Sequence, residues 1–185
     1  MKFIAKQAIV IGTRQDRRDQ LRNCLESIKT NYPIVVVDCG NYELGKIEWV
    51  LKYCSFDEFI FLQDSIEIKD NHLFDKVFSI KGSVSICNYP RMFGCYLGKY
   101  KSHILKKLID DNQLNLTTVS KMDAINLEWI LGDLYEKYEK PYELFDDLQD
   151  SDKFVIKWDK KVMKIENDYL IKYKSIWSKT MVKEQ

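Results

Sequence analysis

The segment Glu58-Phe59-Ile60-Phe61-Leu62-Gln63-Asp64-Ser65-Ile66-Glu67-Ile68 constrains the fold more than any other part of the chain. Phe59 to Leu62 contains no polar residue, as expected of a strand buried on both faces of an α/β sheet. The chain then places a lone carboxylate, Asp64, and resumes an apolar alternation. A carboxylate at the edge of a core is costly unless it is paired, hydrogen-bonded or holding a cation. The carboxyl end of a central strand is also where nucleotide and metal sites form in such sheets. Asp64 therefore reads either as a turn-capping acid or as a ligand-binding one.

The preceding residues supply the rest of that sheet. Ala8-Ile9-Val10-Ile11 reads as a first strand ending at Gly12-Thr13-Arg14. Leu21, Cys24, Leu25 and Ile28 follow at helical spacing, with Asp16 or Thr13 placed to cap the helix. After Pro33, Ile34-Val35-Val36-Val37 forms a second strand ending at Asp38-Cys39-Gly40. Strand, helix and strand in this order make a βαβ unit with parallel strands. Ile47 to Tyr53 reads as a short helix before the third strand, and Leu73, Phe74, Val77 and Phe78 mark another after Asp70-Asn71. Val84-Ser85-Ile86-Cys87 is a fourth strand, followed by turns and short strands from Tyr89 to Leu97. Helices are expected over Ser102–Leu108 and Ala124–Tyr138, and strands over Lys153–Lys157 and Tyr169–Tyr173.

Composition narrows the function classes. The chain has 185 residues, enough for one domain with a sizeable core. Lys plus Arg number 29 against 28 for Asp plus Glu, a net charge of +1 that provides no field for gathering nucleic acid or an anionic membrane. The five cysteines show no CxxC spacing and suit a reducing, cytoplasmic setting better than a disulfide framework. No apolar run approaches the ~20 residues of a membrane span. His72 and His103 lack partners at metal-ligand spacing and read as exposed or capping residues. There is neither a GxGxxG nor a GxxxxGK[ST] pattern, which argues against dinucleotide enzymes and P-loop NTPases.

Gly12-Thr13-Arg14, Asp38 and Asp64 are expected on one rim, because ligands bind beyond the carboxyl ends of parallel strands. There Gly12 would let a ligand approach the backbone. Arg14 could pair with phosphate, Asp38 could accept from ribose hydroxyls or a base edge, and Asp64 could bind a divalent cation, Mg²⁺ or Mn²⁺.

These residues resemble the opening of GT-A-fold glycosyltransferases of the family 2 type. Leu21-Arg22-Asn23-Cys24-Leu25-Glu26-Ser27-Ile28 is similar to their first helix, and Val35-Val36-Val37-Asp38 to their second strand, whose terminal Asp contacts the nucleotide. Phe59 to Ser65 resembles the strand carrying their DxD motif, with Gln63-Asp64-Ser65 in its place, so that a single carboxylate stands where the family has two. The resemblance covers residues 8 to about 100 most closely. It implies an α/β fold of the GT-A (Rossmann-like, nucleotide-diphospho-sugar transferase) type, with a mainly parallel central sheet flanked by helices. Residues 1–185 would form one domain, with 1–90 as the nucleotide-sugar-binding half and 91–185 as the acceptor-side half.

The resemblance also implies the chemistry: a sugar is transferred from a nucleotide-diphosphate-sugar donor to a hydroxyl on a glycan, lipid-linked or protein acceptor. Gly12, Thr13, Arg14, Asp38, Gln63, Asp64 and Ser65 would bind the donor, and Asp64 a divalent cation, Mn²⁺ or Mg²⁺. Lys172 and Trp177 near the carboxy terminus would add a cation and an aromatic face, with Lys172 or Lys174 able to neutralise a leaving diphosphate. The acceptor-activating base is expected on the helix that starts near Ser120-Lys121-Met122-Asp123, with Asp123 and Glu128 as candidates and Asp146, Asp147 and Asp150 behind them. A helix-initial acid such as Asp123 is equally explained by the helix dipole. Arg91 to Gly98 resembles the segment carrying backbone contacts to the donor sugar, and is also explained as a hairpin. Rival readings are a non-catalytic nucleotide-sugar-binding module, a sugar-phosphate nucleotidyltransferase and a flavodoxin-like regulatory domain.

Overall fold

A computed structural model of the protein describes residues 2–39, 42–85, 97–116, 120–145, 155–157 and 162–175. The sheet that the apolar runs predict is formed by β1 (Phe3–Gly12), β2 (Ile34–Val37) and β3 (Cys54–Gln63), and both outer strands pair with β1 in parallel. Beyond β3 the sheet continues with β6 (Leu97–Lys101), β5 (Val84–Ser85) and β7 (Tyr142–Glu143), giving six strands in the order β2-β1-β3-β6-β5-β7. Of these, β6 alone runs against its neighbours.

Residues that alternate along β1 and β3 face opposite ways, as the two-residue period of a strand requires. Ala8, Val10, Phe59 and Phe61 pack with α2 (Glu43–Tyr53), α4 (Ser102–Asp110) and α5 (Lys121–Glu136). Ile9, Ile11, Ile60 and Leu62 pack on the other face with α1 (Arg18–Ser27) and α3 (His72–Ser79). The fold is a helix–sheet–helix sandwich, which explains why the central strands are apolar without interruption.

Several local expectations need correction. Neither Thr13 nor Asp16 caps α1. A short 3₁₀ turn, Gln15–Arg17, precedes that helix, and its amino-terminal cap, Arg17, makes no side-chain capping bond. Thr13 and Asp16 bond Asp64 and Arg14 instead. Helix α2 begins four residues earlier than its apolar periodicity suggests, with Leu44 and Lys46 already buried in its first turn. Ile86, Cys87 and the segment from Tyr89 to Tyr96 lie outside the described residues.

A second sheet was not legible as such. Strands β4 (Ile66–Ile68), β8 (Val155–Lys157), β9 (Val162–Glu166) and β10 (Leu170–Ser175) form an antiparallel sheet in the order β4-β10-β9-β8. Because β4 follows β3 by a two-residue turn, its pairing with β10 brings the carboxy-terminal part of the chain to the end of β3. The Tyr173 N–H donates to the Ser65 carbonyl at 2.9 Å, extending that ladder to the turn itself.

At the rim where β5 begins, buried side chains fix α5 to the sheet. The Tyr135 hydroxyl accepts the Lys101 N–H at 3.0 Å and shares a 2.7 Å bond with Ser83. Glu139 accepts the Ser83 hydroxyl at 2.6 Å and the Lys101 ammonium at 2.5 Å. Tyr135 and Glu128 are seven residues apart and so share one face of α5 about 10 Å apart along its axis. The anchoring at Tyr135 thus directs Glu128 toward the opposite end of the sheet.

Gly12 sits where the packing leaves no room for a side chain. A Cβ there would stand 2.7 Å from the Phe61 ring and 2.8 Å from Cδ of Lys46. The ring is wholly buried and cannot yield. Gly12→Ala should therefore lower stability by about 1–3 kcal/mol through overpacking, seen in thermal denaturation as a Tm drop of about 2–10 °C. An unchanged Tm would contradict this packing.

Candidate functional site

The three leading strands end level with one another. Gly12 is in register with Val37 on one side and with Gln63 on the other. The ladder extends one residue further, because the Thr13 N–H donates to the Val37 carbonyl and the Asp64 N–H to the Gly12 carbonyl. Thr13, Asp38 and Asp64 are therefore neighbours on one rim, a convergence that the sequence implied and the register provides.

Asp64 is the buried centre of that rim, its side chain 1% exposed. Its Oδ2 accepts the Thr13 hydroxyl at 2.9 Å, and its Oδ1 accepts Nη1 of Arg17 at 3.1 Å. A buried carboxylate needs such partners, since desolvation of an unpaired charge costs several kcal/mol. Arg14, one turn before Arg17, is exposed and bonds Asp16 at 2.9 Å. Asp38 is exposed at the end of β2. Gly12 opens no space for a ligand, because the Lys46 stem and the Phe61 ring fill the position of its missing side chain.

A chain of polar bonds adjoins Asp64 and links three elements. Gln63 Nε2 donates to Oε1 of Glu43 on α2 at 2.6 Å. The ammonium of Lys172, on β10, donates to Gln63 Oε1 and also to Ser65 Oγ, the latter at 2.6 Å. Lys172 is buried, as is Lys46 beneath the rim. Burial holds the Lys46 amine below its ordinary range, with Glu43 and Asp64 acting in the opposite direction.

Glu128 completes the group. It is half-buried on α5, which packs against α2. Burial pushes its carboxyl up to about 7, with the nearby Glu43 charge adding to the rise and Lys172 opposing it. Asp123, the other candidate base, serves the helix terminus. Its carboxylate accepts the Ser120 N–H at 2.9 Å while the Ser120 hydroxyl accepts the Asp123 N–H at 3.1 Å, a capping box. Trp177, Asp146, Asp147 and Asp150 lie outside the described residues, as does the loop from Arg91 to Tyr96. His72 and His103 are exposed.

Arg17, Glu43 and Lys46 are the members of this group that the sequence did not single out. Glu43 and Lys46 open a helix whose apolar spacing is obscured by Gly45, and Arg17 sits in an arginine-rich connection that reads as solvated surface. Elsewhere, an open groove of about 520 Å³ is lined by Lys29, Tyr32, Asp70 and Asp75, where α1 gives way to β2. Its polar groups bond one another, Tyr32 to Asp75 and the Lys29 N–H to Asn71.

The donors around Asp64 do not fit a divalent cation. Both Asp64 oxygens already accept from Thr13 and Arg17. The side-chain oxygens of Gln63 and Ser65, on either side of Asp64 in the chain, accept from Lys172. Among the described residues, no three His, Cys, Asp or Glu side chains converge as a metal-binding set. Among the described residues, too, no helix is long and apolar enough to cross a membrane. Cys24, Cys39 and Cys54 are free thiols, and burial with neighbouring carboxylates raises the Cys24 thiol to about 12.

No family model matches the chain, and no curated protein sequence does. Among solved structures it is similar to A197 from STIV, with 13% sequence identity, a TM-score of 0.46, and coverage of 76% of this chain and 82% of that one.

Two outcomes follow from the geometry. Arg17→Met should cost about 2–3 kcal/mol in urea denaturation, because it leaves the Asp64 carboxylate buried beside a single hydroxyl. Adding Asp64→Asn should recover about 1–2 kcal/mol of that loss, and strictly additive costs would contradict the pairing. Glu128 has a raised folded pKa, so the native state binds more protons than the unfolded state between pH 4.5 and about 7. Its contribution to stability therefore falls as pH rises through that window. Glu128→Gln should raise Tm at about pH 8 and leave it little changed near pH 4.5.

Proposed function

We infer that the protein is a glycosyltransferase of GT-A type that moves a sugar from a nucleotide-diphosphate donor to a hydroxyl acceptor. The observation that carries this reading is the level rim of β1, β2 and β3. There Thr13, Arg17, Asp38 and Asp64 stand together, and Glu128, half-buried on α5, lies close enough to Glu43 and Lys172, which adjoin that rim, for their charges to act on it. Strand ends of this kind bind nucleotides because the loops diverge there and leave backbone and side-chain polar groups aimed at one crevice. The exposed Asp38 carboxylate suits ribose hydroxyls, and the arginines following β1 suit the diphosphate.

The chemistry asked of the site is modest. Glu128, as carboxylate, accepts the proton of the acceptor hydroxyl as its oxygen bonds to the anomeric carbon. The bond from that carbon to the diphosphate oxygen breaks, and its electron pair leaves with the nucleoside diphosphate. A base with a pKa near the working pH combines a useful ionised fraction with useful proton affinity. A carboxylate base also suits inversion at the anomeric carbon. Asp123 is a poorer candidate because its oxygens serve the Ser120 backbone.

A non-catalytic nucleotide-sugar-binding module is the second reading. It is favoured by the amide at position 63, whose oxygen and nitrogen are both engaged by neighbouring side chains.

A thermal-shift panel of nucleoside diphosphates and nucleotide sugars tests the donor site. A true ligand should stabilise the fold by about 2.7 kcal/mol at a hundredfold excess over Kd, and no response to any nucleotide would overturn both readings. With the matching donor, Glu128→Gln should retain nucleotide binding and lose about two to four orders of magnitude in turnover. Wild-type turnover should rise with pH through about 7 as Glu128 ionises. Binding without sugar transfer or donor hydrolysis by the wild type would favour the module.

A further inference from the structure

We propose that the ammonium of Lys172 is the resident cation of this donor site, so that the protein binds its nucleotide diphosphate without a divalent metal. The inference rests on the donor-site reading above and concerns what supplies positive charge there. Lys172 does not lie loosely near the strand end. It is 5% exposed and donates to the side chains on both sides of Asp64, Gln63 and Ser65. It thereby takes the oxygens that a metal ion at this turn would need. The antiparallel pairing of β10 with β4 sets this position, with Lys172 in register with Ile66.

The residue at position 63 is consistent with that arrangement. A carboxylate there would add a second buried charge beside Asp64 and Glu43, which a metal would have to offset. An amide has one oxygen for the ammonium and one N–H pair for Glu43, and so satisfies both neighbours without adding charge. With Arg17 on Asp64, the turn carries fixed cations on both sides of its one carboxylate. Preorganised charge in a poorly solvated setting stabilises a developing anion without reorganisation, the service a divalent ion would otherwise perform. Lys172 thus acts on the phosphates as a charge in the floor of the site.

The test is calorimetric titration of the full chain with uridine, guanosine, adenosine, cytidine and thymidine diphosphates, in EDTA and separately with Mn²⁺. The expected result is that one of them binds with a Kd agreeing within about twofold between the two buffers. Lys172→Met should weaken that binding about tenfold or more in EDTA. Combining Lys172→Met with Gln63→Asp should restore affinity in Mn²⁺ alone, a gain that a merely structural lysine would not produce. Binding that requires Mn²⁺ in the wild type would overturn the inference and leave the donor site standing. So would metal-free binding that Lys172→Met leaves intact. Binding of no nucleotide in either buffer would remove the donor site and this inference with it. Should Lys172→Met fail to fold, the wild-type comparison between the two buffers decides alone.

Discussion

A carboxylate buried at the end of the central strand sets the terms for much of this structure. Asp64 could be carried there only if its charge were met, and the chain meets it from two directions. Thr13 arrives because β1 ends level with β3. Arg17 arrives because the 3₁₀ turn after β1 folds back before α1 begins. The price of an unmatched carboxylate is high enough that the conformation of the β1–α1 connection follows from it. The same requirement removes Thr13 from the capping role that its sequence position suggests.

The second constraint is the tie between the two sheets. Gln63 and Ser65, flanking Asp64, are joined by Lys172 from a strand more than a hundred residues later, and Gln63 is joined in turn to Glu43. Helix α5, fixed by Tyr135 at one rim of the sheet, carries Glu128 toward this group at the other. Acids and bases from distant parts of the chain thus meet around one turn, and there burial, with the Glu43 charge adding and Lys172 opposing, raises the proton affinity of Glu128 to the neutral range. A titrating group in a crevice, perturbed by burial and by specific neighbours, is a physical reason to look for chemistry there.

What could be read in the sequence was what local periodicity encodes. The apolar runs of β1, β2 and β3 and the spacing of Leu73, Phe74, Val77 and Phe78 state their own burial, and parallel strands bring their ends together without further information. By contrast, β6 reads Leu-Gly-Lys-Tyr-Lys, with little sign of a central strand. Its Lys99 is wholly buried only because Glu58 and the Ile80 carbonyl receive its ammonium, partners that no local pattern reveals. The placement of Lys172 depends on β10 finding β4, a pairing set by tertiary structure. Likewise, Gly12 was legible as a special position, but the reason is the ring and the lysine stem packed over it. Asp123 carried two readings, and the capping box accounts for its geometry.

A crystal structure with the tightest-binding nucleoside diphosphate puts the proposed donor site at the rim around Asp64 to the test. Diphosphate density is expected over the ends of β1 and β3 beside Arg17 and Lys172, with the ribose toward Asp38. Density in the groove between Lys29 and Asp75, or anywhere else away from that rim, would contradict it.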